Sequence, residues 1–414
     1  MDRHPFADPR PLTLLLRIYR QEVRMTGMNW LRSGLAAALI SGTTAAAQPP
    51  NMRLVARNLV QAGMVKEGDK VLVSGGIRDA ALLEDIAIEA RKVGAHPLIT
   101  ISSDRLLRRS FDEVPTAFDN VTSPIDMLLV NNFDVQIVID VNEAEGLLAG
   151  VPVTRRTARA KAAEPVTEAY FRRKPRLVNL GNDLYPTVAL SRRLSVPQGA
   201  LASAFWRAAA VSSSSLRTKG EALRRGFPED GVVTITAPNG TNISLRVQPR
   251  NGFVSDGALT AEKVKQGSAA AATYLPAGEV ILPAQNGSAN GKIVLDRLMW
   301  DGRLIRGLTL VFERGLLTSM TAENDMSALE ARYQGASGAR NRFGFIDIGI
   351  NDQTKLPVGS GRVVWTAPGA IVFGFGDNRG FGGENQSDFG FTAQLGGATL
   401  TVDGKPLISA GRLR

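Results

Sequence analysis

The chain has 414 residues, no cysteine, two histidines and 49 Lys+Arg against 39 Asp+Glu, for a formal net charge of +10. Without cysteine there is no disulfide framework, thiolate nucleophile, zinc ribbon or iron–sulfur cluster, since each needs sulfur as its bonding atom. With His4 and His96 as the only imidazoles, and His4 expected outside the mature protein, a Ser-His-Asp triad could be built only around His96. A two-histidine zinc site could not be built within one subunit.

Residues 1–47 read as an upstream extension plus a signal peptide. Arg32 precedes an apolar stretch, Leu35 to Ile40, and Ala45-Ala46-Ala47 forms an A-x-A cleavage site, so the mature chain starts at Gln48. The expected location is periplasmic or secreted, and the apolar run is too short for a stable membrane span. Processing removes six arginines and three acids, so the net charge falls from +10 to +7. The basic residues that remain are scattered, with short clusters at Arg155-Arg156, Arg172-Arg173-Lys174 and Arg224-Arg225. No aromatic-interleaved or helix-turn-helix pattern accompanies them, so they read as solvated faces and no nucleic-acid partner is expected.

From 48 to 220 the pattern alternates strand and helix. Leu54, Val55, Leu59 and Val60 are spaced as on a helix, a buried strand follows from Lys70 to Ser74, and a helix from about Ala80 to Val93 ends at Gly94. Strands are predicted at His96–Ile101, Val135–Val141 and Arg176–Leu180. This rhythm argues for an α/β domain on a mainly parallel sheet. From 221 to 414 hairpins take over: VVTITA and NISLRV flank an Asn239-Gly240 turn, and KIVLDRLM, RLIRGLTLVFERG and LLTSMTAE continue in β-rich style, with one helix from about Met326 to Gln334. The expected fold class is therefore an α/β N-terminal domain followed by an antiparallel-sheet-rich α+β domain, with the boundary near 220.

Few motifs carry chemistry. Ser74-Gly75-Gly76 follows a strand and precedes a helix but lacks the spacing of a phosphate loop, so it reads as a structural turn. His96, between a helix end and a strand, has no nucleophile motif near it and reads as a packing residue. The GFGDNRGFGG segment, 374 to 383, sits among hairpins and reads as tight turns lining a groove. Glu279, Asp347, Asp377, Glu384 and Asp388 offer oxygen ligands suited to a hard cation, yet their spacing matches no calcium loop.

Taken together, VKEGDKVLVSGG, GAHPLIT, PNGTNISL, LPAGEV, RNRFGFIDIGIN, GAIVFGFGDN, NQSDFGF and VDGKPL occur in an order and spacing over about 51 to 408 that resembles the thermophilic leucyl aminopeptidase (aminopeptidase T and aminopeptidase S) metallopeptidase family. The resemblance implies an α/β amino-terminal domain, a β-rich domain holding a two-metal site, a homodimer, and removal of amino-terminal residues from peptides. Carried across residue by residue, the first glutamate falls on Glu279. The second falls on Phe345, the first histidine on Val372, the tyrosine on about Arg379, and the final His-x-Asp on Phe389 and Phe391.

Only Glu279 keeps a metal donor. Phe345 and Val372 cannot coordinate a cation, and an arginine would repel one. The expected pocket is thus apolar and aromatic, formed by Glu279, Phe345, Val372, Arg379, Phe389 and Phe391. A buried Glu279 in it would need a partner such as Arg379. The reading is an exported homologue with a degenerate metal site, no cofactor, and a retained peptide or small-ligand cleft. The alternative is an active hydrolase holding a divalent metal through a rebuilt site of Glu279, Asp347, Asp377, Glu384 and Asp388.

Overall fold

A computed structural model describes residues 51–141 and 146–414. The expected extension, signal peptide and cleavage site lie outside the described residues. Helix α1 (Met52–Ala62) is capped by Asn51, whose side chain accepts from the backbone N–H groups of Arg53 and Leu54, and it buries Ala56, Leu59 and Val60 one turn apart. β1 (Lys70–Gly76) leads into α2 (Ala80–Lys92), which buries Leu82, Leu83, Ile86, Ala87 and Ala90. Ser74-Gly75-Gly76 proves to be the end of that strand. A side chain at Gly75 would stand 2.9 Å from Leu83, so glycine lets α2 pack closely on the sheet.

β2 (His96–Ser102), α3 (Asp104–Asp112), α4 (Pro124–Asn132), β3 (Val135–Ile139), α5 (Val153–Arg173) and β4 (Arg176–Leu180) complete the alternating half. The strands are parallel, with α1 and α2 over a core of Val71, Val73, Val135, Ile137 and Val178, and Leu72 packed with Val130, Phe133 and Val166 on the other face. Three helices follow, α6 (Val188–Leu194), α7 (Gln198–Ala209) and α8 (Ser213–Arg224).

The predicted boundary near 220 falls inside α8 and does not separate the two parts. After β5 (Val233–Thr236), β6 (Asn242–Leu245), β7 (Phe253–Ser255) and α9 (Ala261–Gln266), the chain returns with β8 (Ala272–Leu275). β8 joins β4 in parallel, giving a five-stranded sheet in the order β2-β1-β3-β4-β8. Sequence periodicity is local, and it carries no sign that a strand this far along the chain belongs to the first sheet.

The rest is antiparallel. β9 (Glu279–Pro283), β10 (Asn290–Trp300), β11 (Arg303–Glu313), β12 (Leu316–Thr321), α10 (Ser327–Gln334), β13 (Phe343–Gly349), β14 (Ile371–Gly376), β15 (Gly390–Leu395), β16 (Thr399–Val402), β17 (Lys405–Ser409) and β18 (Arg412–Leu413) follow. They form an eight-stranded sheet, β12-β11-β10-β6-β5-β16-β17-β18, and a five-stranded one, β15-β14-β13-β9-β7. The Asn239-Gly240 hairpin joins β5 and β6 as expected, with Gly240 at φ +93°. The main core combines residues of both sheets, among them Ile235, Leu295 and Leu310 from the larger and Val280, Ile346 and Phe373 from the smaller.

Candidate functional site

In the smaller sheet the registers assign each side chain to a face, because residues directly opposite one another share a face and neighbours along a strand alternate. Glu279 lies opposite Ser255 on one side and Gly349 on the other. One step along, Ile281, Asp347, Val372 and Gln394 form a second row, and Phe345 stands opposite Pro283 and Gly374. Glu279, Asp347, Phe345 and Val372 therefore share the face turned away from the sandwich core. Glu279 and Asp347 occupy diagonal positions on adjacent strands and are 0% and 1% exposed.

This face is closed by the chain itself. The segment 362–367 folds as a loop over the sheet, where a side chain at Gly349 would collide with the backbone of Trp365 and Ala367. Val364 N–H donates to Gln394 Oε1 at 2.9 Å, which ties the loop down. Phe381, in a 3-10 turn at Arg379–Phe381, stacks on Phe345 with ring centroids 3.7 Å apart, and Trp365 stacks on Phe381 at 5.9 Å. Gly374 leaves the room that the Phe345 ring occupies. Phe253, Ala269 and Ile281 complete the apolar cluster. The glycine-rich segment 374–383 thus fills the face with Phe381 instead of lining an open groove.

The other expected site residues go elsewhere. Phe389 and Phe391 do not join Glu279: they pack in the sandwich core, Phe389 against Tyr333 and Phe375, Phe391 against Phe375 and Trp300. The register places Thr392 and Gln394 on the Glu279 side, with Gly390 in phase with them. A one-residue step along a strand exchanges faces, so the positions that share the Glu279 side here are 390, 392 and 394, not 389 and 391.

Asp377 accepts from the backbone N–H and guanidinium of Arg379, Asp388 accepts from Ser337 N–H at 2.6 Å, and Glu384 is exposed. Of the other four acids proposed for a rebuilt site with Glu279, Asp347 alone shares its face. Among the described residues no group of three or more His, Cys, Asp or Glu side chains comes together to hold a metal. A di-metal centre needs several oxygen or nitrogen donors around each ion. Glu279 opposite Ser255 and Asp347 one row along, on a face otherwise filled by the Phe345, Val372, Phe381 and Trp365 cluster, do not fit one.

Arg379, expected beside Glu279, directs its guanidinium to Asp377 and, across the seam between the two halves, to Glu164 on α5 at 3.2 Å, with Phe171 beneath it at 4.7 Å. Gln386 donates to Glu168 at 2.8 Å along the same helix. Burial raises the Glu164 carboxyl above its ordinary pKa, with Arg379 opposing and Asp377 adding to the shift. A second seam contact runs from Trp365 Nε1, which donates to Asp183 Oδ2 at 3.0 Å. A third is Asn351, whose amide donates to the carbonyls of Ala277 and Ala208. Sequence reasoning named none of Glu164, Asp183, Trp365 or Ser255 as a site residue, since their roles depend on contacts far apart in the chain. His96 is exposed on β2.

No protein-family model matches the chain, and no curated protein matches it in sequence. Among solved structures, wild-type AmpT (aminopeptidase T) from Thermus thermophilus superposes with a TM-score of 0.63 at 17% identity, covering 88% of this chain and 98% of that one. The 2,5-dihydroxypyridine dioxygenase of Pseudomonas putida KT2440 superposes with a TM-score of 0.51 at 12% identity, covering 88% and 96%. At these identities the likeness speaks for architecture, and the chain has the two-part, aminopeptidase-like fold of AmpT.

Proposed function

We propose that this chain is an exported aminopeptidase-T-like protein in which the position of the metal centre has become a packed aromatic cluster, leaving non-covalent binding of a peptide or small molecule as its activity. The observation that carries the reading is the stack of Phe345 on Phe381 at 3.7 Å, on the face where Glu279 is sealed. Rings in van der Waals contact leave no room for hydrated cations, and neither ring can donate a lone pair. The test is metal analysis of the purified chain, with hydrolysis of leucyl-p-nitroanilide measured with and without Zn²⁺, Mn²⁺ or Co²⁺. The expected result is no stoichiometric metal and no metal-dependent hydrolysis. Chelator-sensitive activity lost in Glu279→Ala would sink the reading.

A second reading, a hydrolase with a rebuilt carboxylate site, is favoured by one observation, the placement of Asp347 diagonally across from Glu279 on the same face. Under it, Asp347→Asn and Glu279→Gln each abolish metal retention. Export is supported by the Ala45-Ala46-Ala47 pattern. It is tested by the amino terminus of the protein recovered from the periplasm or medium, expected at Gln48.

A further inference from the structure

One ring on the Glu279 face is not part of the sheet it covers. Phe381 stacks with two others, at 3.7 Å and 10° from Phe345 and at 5.9 Å and 22° from Trp365. Its contact with Phe345 is closer than the roughly 4.5–7 Å usual for aromatic pairs. A flat group layered in this way sits as a guest does in a slot, and here the guest is a side chain of the protein itself.

Phe381 is carried on a surface turn. It is 4% exposed, while Gly380, Gly382 and Gly383 around it are partly exposed, so one thickness of chain separates the slot from solvent. Gly376 and Gly382 bracket the turn at φ +88° and +82°. Residues without a Cβ can leave such values for others without steric penalty. The base of the turn is tied to its own sheet by Asn378, which donates to Gly344 O at 2.8 Å and accepts from Asn385 N–H at 2.8 Å. Across the seam it is held by Arg379, which donates to Glu164 at 3.2 Å.

The same face indicates what a replacement ring should carry. Asp347 follows Phe345 by two residues on β13 and shares its face, about 6.6 Å along the strand at one residue per 3.3 Å. That is the reach of an ammonium joined to a ring by two carbons. We infer that Phe381 stands in for a ligand, a small aromatic amine whose ring displaces it from Phe345 and Trp365 as the turn swings outward, and whose ammonium meets Asp347. This rests on the reading that the face binds a small molecule and holds no metal. The affinity is scaled by the fraction of molecules in which the turn is out, so the contact of Arg379 with Glu164 controls how tightly the amine is held.

Calorimetric titration with phenethylamine tests this against phenethyl alcohol, which lacks the ammonium, and cyclohexylethylamine, which lacks the flat ring. The parent should bind phenethylamine at least about tenfold more tightly than either, and Asp347→Asn should erase the preference over the alcohol. Hydrogen exchange locates the event. The Phe381 and Gly383 amides, which donate to Asn378 O at 2.9 and 3.1 Å, should exchange faster with the amine bound, where simple docking would slow them. Glu164→Gln should raise the affinity about threefold or more, and Phe381→Ala about tenfold or more. If Phe381→Ala fails to fold, Glu164→Gln carries the test. Absence of binding at millimolar amine overturns the inference. So does equal affinity for phenethyl alcohol, which would make the slot a plain apolar cavity, and so does slower exchange at Phe381, which would place the amine elsewhere. Stoichiometric metal on the purified chain overturns the reading of the face, whereas a metal-free chain that ignores the amine overturns this inference alone.

Discussion

The two faces of the β15-β14-β13-β9-β7 sheet are built from the same strands and held by different means. The inner face is apolar throughout, with Phe373, Phe375, Phe389 and Phe391 meeting Trp300 and Phe312 of the other sheet. It needs no partner chemistry beyond burial, at roughly 25 cal/mol per Å² of apolar surface. The outer face buries Glu279, Asp347 and Ser255 as well as the stacked rings of Phe345, Phe381 and Trp365, and its cover is secured by polar contacts that cross between the halves of the molecule. Packing alone keeps the first face closed, while the second also depends on side chains contributed by the parallel-sheet half.

This contrast breaks most visibly at Phe391. Phe391→Ala leaves a cavity between the sheets and should destabilise the whole chain by about 3–5 kcal/mol in urea unfolding. A loss below about 1 kcal/mol would show that the inner face is not the main core. Next comes Arg379→Ala, which strips Asp377 and Glu164 of their shared cation. The expected cost is about 1–3 kcal/mol, reduced by partial exposure of Glu164. It should appear as faster proteolysis at the seam, and an unchanged cleavage pattern would detach Arg379 from domain contact.

Trp365→Phe keeps a ring over Phe381 but removes the donor to Asp183, for an expected loss of about 1–2 kcal/mol. Crystallography of the variant would show whether the loop stays seated. If stability is unchanged, the cover rests on stacking alone.

The smallest effect is in pH dependence. The Glu164 carboxyl has a raised pKa in the folded state, so the native chain holds its proton to higher pH than the unfolded chain does. Its stabilising contribution is full below the unfolded value and is lost as pH rises through the folded one. Urea midpoints measured across the acid range should therefore decline less steeply with rising pH in Glu164→Gln than in the parent. Parallel profiles would remove Glu164 from the seam's electrostatics.

How much of this was legible in the sequence depended on the range of the interaction. Local signals worked: the buried run Lys70–Ser74, the Asn239-Gly240 turn and the helix at 80–93 each depend on the chain's own neighbours. Face assignment was also written locally in β15 and the residue before it. Phe389, Phe391, Ala393 and Leu395 alternate with Gly390, Thr392 and Gln394. That period of two already marks the phenylalanines as core and the small and polar residues as the opposite face. Matching by motif spacing alone overlooked it.

Glu279, Phe345 and Val372 share one face of the sheet because β9, β13 and β14 are adjacent in it and the three residues are in phase. The pairing of Arg379 with Glu164, and of Trp365 with Asp183, could not be read in advance. Those contacts join residues about 180 to 215 positions apart and are set by how the halves meet.

The return of the chain at β8 has a consequence for how the molecule assembles. Leu180 pairs with Leu275 across the full length of the first antiparallel hairpins, so the parallel sheet stays one strand short until that later segment has been made. A ribosome releasing the chain would present an unfinished edge at β4 for as long as it takes to synthesise everything between. The two halves thus fold as one topological unit, and neither is a module that a single cut or a simple gene fusion could transplant.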